Sequence, residues 1–140
     1  MSESSLQNRL AAVRGRIAAA AKRSGRGADD ITLIAVSKTH AADAIRAAFE
    51  LGVRHFGENR VQEWEGKRTE LHDLQADWHL VGHLQSNKAA KAARFFDSVD
   101  SVDDFALVQR LDRARVELGE SRKLRVLIEV RIAPEETKSG

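Results

Sequence analysis

Apolar positions near the start of the chain recur at spacings of four, three and four, at Leu6, Leu10, Val13 and Ile17, with Arg and Asn between them. That is one face of a helix, which Gly25 and Gly27 are placed to end. The pattern then shortens. Residues 31–36 form a compact β-branched run that predicts a buried strand, and 41–51 predict a helix with Gly52 at its C-terminal cap. The alternation continues with a weak strand over 53–56, a helix over 61–74, a strand over 78–81 and an Ala-rich helix over 87–94. A fourth strand is expected at 96–99. Ser101 and Asp104 resemble a capping box opening a helix with a Phe105, Val108, Leu111 and Leu118 stripe, closed by Gly119. Residues 124–130 read as the strongest strand of all.

Strand and helix thus alternate five times after an opening helix, which calls for a parallel sheet with helical crossovers. A doubly wound open sheet and a (β/α)8 barrel both satisfy that pattern. No linker or low-complexity tract interrupts it, so residues 1–140 are expected to form a single domain. The chain stops just past its strongest strand, with no helix to cover it. It therefore reads as a domain incomplete at its C-terminus.

Composition narrows the classes of function. With 42% hydrophobic and 31% charged residues, the chain is of ordinary globular type. Its 23 basic and 21 acidic residues are interspersed, without the basic stripe of a nucleic-acid binder. There is no cysteine, which excludes disulfides and thiolate chemistry within the chain. No apolar run approaches the ~18 residues of a membrane span, and the start lacks a secretory pattern. A soluble cytoplasmic protein is expected.

Three places could carry chemistry. Lys38 stands two residues past Val36, at the C-terminal end of the first predicted strand, where ligands bind in parallel α/β folds. A lysine there can act as an amine nucleophile, or simply be a solvated lysine leaving a strand. In Phe56-Gly57-Glu58-Asn59-Arg60-Val61-Gln62-Glu63, Asn59 and Arg60 could face a ligand. Equally, Asn59 could be the N-cap of the following helix, with Gln62 completing a capping box. His79 and His83 invite a metal reading, but along a strand they would stand about 13 Å apart, too far for one ion. Packing of His79 within the sheet is the better expectation.

Taken together, Ala35-Val36-Ser37-Lys38-Thr39, the segment from Phe56 to Glu63, and Trp78-His79-Leu80-Val81-Gly82-His83-Leu84-Gln85-Ser86-Asn87-Lys88 resemble the pyridoxal phosphate homeostasis proteins. The fold of that family is similar to the N-terminal barrel domain of alanine racemase. Val126-Leu127-Ile128-Glu129-Val130, and the stretch from Glu135 to Gly140, also look like their counterparts there. The resemblance implies a (β/α)8 TIM-type barrel with pyridoxal 5′-phosphate at its C-terminal mouth, here cut after about five strands. It implies a Schiff base on Lys38, Asn59 beside the cofactor, and His79 and Gln85 lining or supporting the pocket less directly. It further implies a carrier or regulator of the cofactor that lacks a metabolic reaction of its own, with the cofactor and the apo-enzymes that use it as partners.

Arg131 stands where the family often carries Asn, so no role is carried onto it. The phosphate-cradling loops of such a barrel would fall beyond this chain, which implies weaker retention of the cofactor than in a complete homologue. A pyridoxal phosphate-dependent racemase is the alternative. Such an enzyme pairs the lysine with a second base, typically a tyrosine, and this chain contains none. A plain interaction module with a solvated Lys38 is the third reading.

Overall fold

The structure is a computed structural model that describes residues 3–119 and 121–132; the 135–140 stretch lies outside the described residues. Helix α1 (Glu3–Arg23) precedes four β/α repeats and a fifth strand: β1 (Ile34–Val36), α2 (Ala42–Glu50), β2 (His55–Glu58), α3 (Val61–Lys67), β3 (Asp77–Leu80), α4 (Ala89–Phe95), β4 (Ser98–Val102), α5 (Phe105–Leu118) and β5 (Arg125–Ile128). The strands lie in the order β1-β2-β3-β4-β5, and every pairing is parallel. That order settles the ambiguity left by periodicity. A doubly wound sheet reverses its strand order at a switch point. Here the winding never reverses, so right-handed crossovers place successive helices on the same face, as in a (β/α) barrel.

That face carries the core. Phe56, Trp78, Leu80 and Val99 from the strands pack with Ile45, Trp64, Ala92, Ala93, Leu107 and Leu111 from the helices. Trp64 stacks on Trp78 with ring centroids 3.9 Å apart, and its indole N–H donates to the Phe95 carbonyl at 3.2 Å. The buried ring system is thereby satisfied in its polar part as well. The alanines of α4 let that helix approach closely, and Ala92 and Ala93 are completely buried.

Several local expectations need correction. The first strand is three residues long, because 31–33 form only a bend and extended chain. The helix predicted over 61–74 ends at Lys67 and gives way to a 3-10 turn at Arg68–Glu70. Likewise, a 3-10 turn at Ser86–Lys88 precedes α4. Ser101 belongs to no capping box: it lies in β4, and Asp104 alone caps α5, accepting from the Leu107 N–H at 2.9 Å. Phe105 and Leu118 leave the predicted stripe for solvent, while Leu107, Leu111 and Ala114 face the core. Gly119 does end α5, in the left-handed conformation at φ 66°.

The opposite face of the sheet is polar at its centre and open at its edges. Val36 on β1 is half exposed and Leu127 on β5 is 57% exposed, while Ile128, turned to the other face by the alternation of the strand, is 74% exposed. The strand most apolar in sequence is thus the least covered. Leu80 in the central strand is 1% exposed. Leu80→Ala should lower the unfolding free energy by about 2–5 kcal/mol, read as a shift in urea midpoint at unchanged slope.

Candidate functional site

The C-terminal ends of the strands gather the residues singled out from sequence. Lys38 follows β1 in a turn and is exposed, and among the described residues its amine has neither a hydrogen bond nor an ion pair. Its neighbours are held firmly. The Ser37 N–H donates to the Gly57 carbonyl at 2.8 Å, extending the ladder past the strand. Ser37 is buried, and its hydroxyl donates to Glu58 Oε1 at 2.7 Å. On the other side of Lys38, the Thr39 N–H donates to Glu63 Oε1. Thr39 has φ 65°. A β-branched residue there costs about 1–2 kcal/mol and persists only when its surroundings hold it.

What holds it is a charged cluster that sequence reasoning did not identify. Glu58 ends β2 with its side chain fully enclosed. Its partner is Lys67 on α3, whose ammonium lies 3.2 and 3.3 Å from the two Glu58 oxygens. Lys67 also donates to Glu63 at 2.8 Å and to the Ser37 carbonyl at 3.1 Å. A buried carboxylate survives only when paired and hydrogen-bonded, and here the pairing ties β1, β2 and α3 into one unit. Lys67 and then Thr39 hold the Glu63 carboxyl below its ordinary pKa, against the opposing effect of burial. The Glu63/Lys67 spacing of four was the one signal in the sequence that could have revealed the cluster.

Asn59 follows β2, half-buried, with no side-chain partner among the described residues. It does not cap α3. The N-cap is Arg60, without a side-chain hydrogen bond, and no Asn59–Gln62 box forms. The reason is the close approach of Gly82, where an added Cβ would sit 2.2 Å from the Asn59 carbonyl oxygen. The buried Ser101 hydroxyl fixes the Gly82 carbonyl at 2.6 Å. The loops after β2 and β3 are thus wedged together, one residue short of a cap at Asn59.

His79 lies in β3, buried on the polar face of the sheet. Its Nδ1 lies 2.9 Å from Asp100 Oδ2, and its Nε2 is 3.1 Å from His55 Nδ1. For Asp100, burial favours the neutral acid, but His79 and Ser98 outweigh it and leave the carboxyl below its ordinary pKa. An ionised Asp100 can only accept, so His79 carries a hydrogen on Nδ1, while its Nε2 shares a hydrogen bond with His55 Nδ1. Both ring nitrogens are committed within the sheet. His83 instead points to Asp103 at 3.5 Å and is exposed, so the two histidines do not converge. Gln85 lines a separate recess of about 520 Å³ with Arg60, Gln62, His83 and Lys88, which Lys38 does not share. The structure therefore brings Lys38 and Asn59 to one rim of the sheet and sets His79 and Gln85 apart in the roles described.

The chain matches the family described as "Alanine racemase, N-terminal domain" over residues 9–133. It is 43% identical over 138 residues to the pyridoxal phosphate homeostasis protein of Escherichia coli K12, covering 96% of this chain and 58% of that protein. PipY of Synechococcus elongatus, solved without PLP, superposes with a TM-score of 0.83 at 47% identity, over 96% of this chain and 57% of PipY. The same protein with PLP bound gives 0.70 at 55% identity, over 75% of this chain and 49% of the other. This chain therefore spans somewhat under three fifths of the length of these relatives. No helix among the described residues is long and apolar enough to cross a membrane.

Two outcomes follow from this geometry. Gly82→Ala has no room for its methyl group, and should lower the melting temperature while moving the Asn59 amide resonance; an unshifted resonance would contradict the wedge. Because the Glu63 and Asp100 carboxyls are held below their ordinary values, their contribution is present above the unfolded-state values of 4.5 and 3.8. It is lost as pH falls through and below them. Urea unfolding should show stability declining from about pH 4.5 downward, and less steeply in Glu63→Gln.

Proposed function

This chain belongs to the alanine racemase N-terminal-domain family, on its pyridoxal phosphate homeostasis branch, and on that premise we propose that it holds pyridoxal 5′-phosphate as a Schiff base on Lys38 and turns over no substrate. The observation that carries this reading is the state of Lys38: an exposed amine at the C-terminal end of β1, without a partner among the described residues and flanked on both sides by backbone that is tied down. A lysine without a carboxylate partner is available to an aldehyde, and the strand end is where parallel α/β folds receive ligands.

The residues present fit such a group. Lys38 offers the one chemistry an aldehyde requires, and Asn59 offers on the same rim an amide with no partner among the described residues, suited to orient a polar ring. When bound, the cofactor supplies an electrophilic carbonyl conjugated to an electron-withdrawing ring. His79 cannot donate to it directly, since both nitrogens serve Asp100 and His55. Its part is to stiffen the sheet beneath the mouth. Gln85 lines the neighbouring recess, beside Arg60 and Lys88.

The same commitment of His79 favours holding over turnover. A racemase needs a second base free to accept a proton on the face opposite the lysine. The buried imidazole closest in character to such a base is locked between two partners. In this reading the chain buffers the cofactor and passes it to apo-enzymes that require it.

Incubating the chain with pyridoxal phosphate and reducing with borohydride should fix one adduct on Lys38, mapped by mass spectrometry. Lys38→Ala should abolish that adduct without altering the melting curve. A colourless parent protein, or an adduct that survives Lys38→Ala, would contradict the assignment.

A further inference from the structure

Three charged side chains close to Lys38 have no part in the reading above: Glu58, Glu63 and Lys67. None touches the Lys38 amine. All contacts from the cluster to this segment go to its backbone or to Ser37. We propose that Glu63 and Lys67, seated on buried Glu58, are positioning residues that hold the turn around Lys38 in the conformation presenting its amine for imine formation. This rests on the Schiff-base reading and adds to it the device that aims the lysine.

The arrangement brackets the lysine. Before it, Ser37 is tied by its hydroxyl to Glu58 and by its carbonyl to Lys67. After it, Thr39 is tied by its N–H to Glu63. Lys67 joins the two ties, because its three ammonium hydrogens are shared among Ser37, Glu58 and Glu63. The side chain of Lys67 is 14% exposed and that of Glu58 is not exposed at all. Water competes weakly for these bonds, and charge-assisted bonds of this kind are the stronger class.

The turn needs such a device. With φ 65°, Thr39 occupies a region that a threonine leaves when nothing restrains it. Relaxation to negative φ would rotate the chain immediately after Lys38 and redirect the amine. The cluster therefore acts on the direction of the nucleophile and leaves its chemistry untouched. In the step it serves, the Lys38 nitrogen contributes its electron pair to the aldehyde carbon. The aldehyde oxygen departs as water, taking two nitrogen-borne hydrogens, and nothing is oxidised or reduced.

The test uses the full chain and pyridoxal phosphate, following the rate of imine absorbance and the circular dichroism induced in the bound chromophore. Glu63→Ala should slow imine formation about tenfold, as expected for loss of a charge-assisted bond, and weaken the induced ellipticity. Glu63→Gln keeps an oxygen that can accept from Thr39 and should recover most of both signals. If Glu63→Ala fails to fold, Ser37→Ala, which removes the hydroxyl's ties to Glu58 and to the Gly57 carbonyl and leaves the Ser37 backbone bonds in place, should show the same slowing at a near-parental melting temperature. Parental rate and ellipticity in these variants would overturn the proposal, as would losses in Ala and Gln alike that simply track the melting temperature. A parent chain that forms no adduct on Lys38 would overturn the Schiff-base reading as well, a result distinct from a parent and variants that load equally.

Discussion

A carboxylate with no exposed surface sits at the end of the second strand, and the local architecture of the rim is arranged around satisfying it. Glu58 takes a hydroxyl hydrogen from Ser37 and shares the ammonium of Lys67, which reaches on to Glu63 and to the Ser37 carbonyl. Removing one partner of such a pair strands a buried charge, at a cost of about 3–5 kcal/mol. That is ample to hold a single threonine at positive φ. The bonds that keep Glu58 buried tie the chain just before Lys38, and Glu63, which shares the Lys67 ammonium, ties it just after.

The winding of the sheet makes this possible. Because the strands run β1 to β5 without a reversal, successive strand-end loops lie side by side, and contacts between them lock the rim in sequence. The Glu58 cluster joins the β1 loop to the second β/α repeat. Gly82 against Asn59 joins the second repeat to the third, and the Ser101 hydroxyl joins the third to β4. Beneath the rim, Asp100, His79 and His55 form a second polar tie across three strands. Helix packing stabilises one face of the sheet, and polar pairing organises the other.

The repeat pattern was legible in the sequence because it depends on local periodicity: the five strands and the helices between them fall close to where apolar spacing and Gly52 and Gly119 put them. Boundaries that depend on tertiary contact were not. Asn59 has every local qualification for an N-cap and is denied the role by a glycine at the next strand end, 23 residues on in sequence. Ser101 looks like a capping serine and instead serves the Gly82 carbonyl. Lys38 and Asn59 were singled out by their places at predicted strand ends, and the structure sets both on the rim of the sheet. Glu58, Glu63 and Lys67 were not singled out, because a buried ion pair leaves no mark in composition. Only the spacing of Glu63 and Lys67 hinted at it, and that spacing is just as common on solvated helices.

The central claim is that an exposed turn is held rigid from beneath, and amide hydrogen exchange at Thr39 measures that directly. A free turn in water exchanges at nearly the unprotected rate. The account predicts a Thr39 amide protected well above that of the neighbouring exposed turn residue Lys38, with the protection lost in Glu63→Ala. A Thr39 amide that exchanges as fast as an unstructured peptide in the parent chain would contradict it.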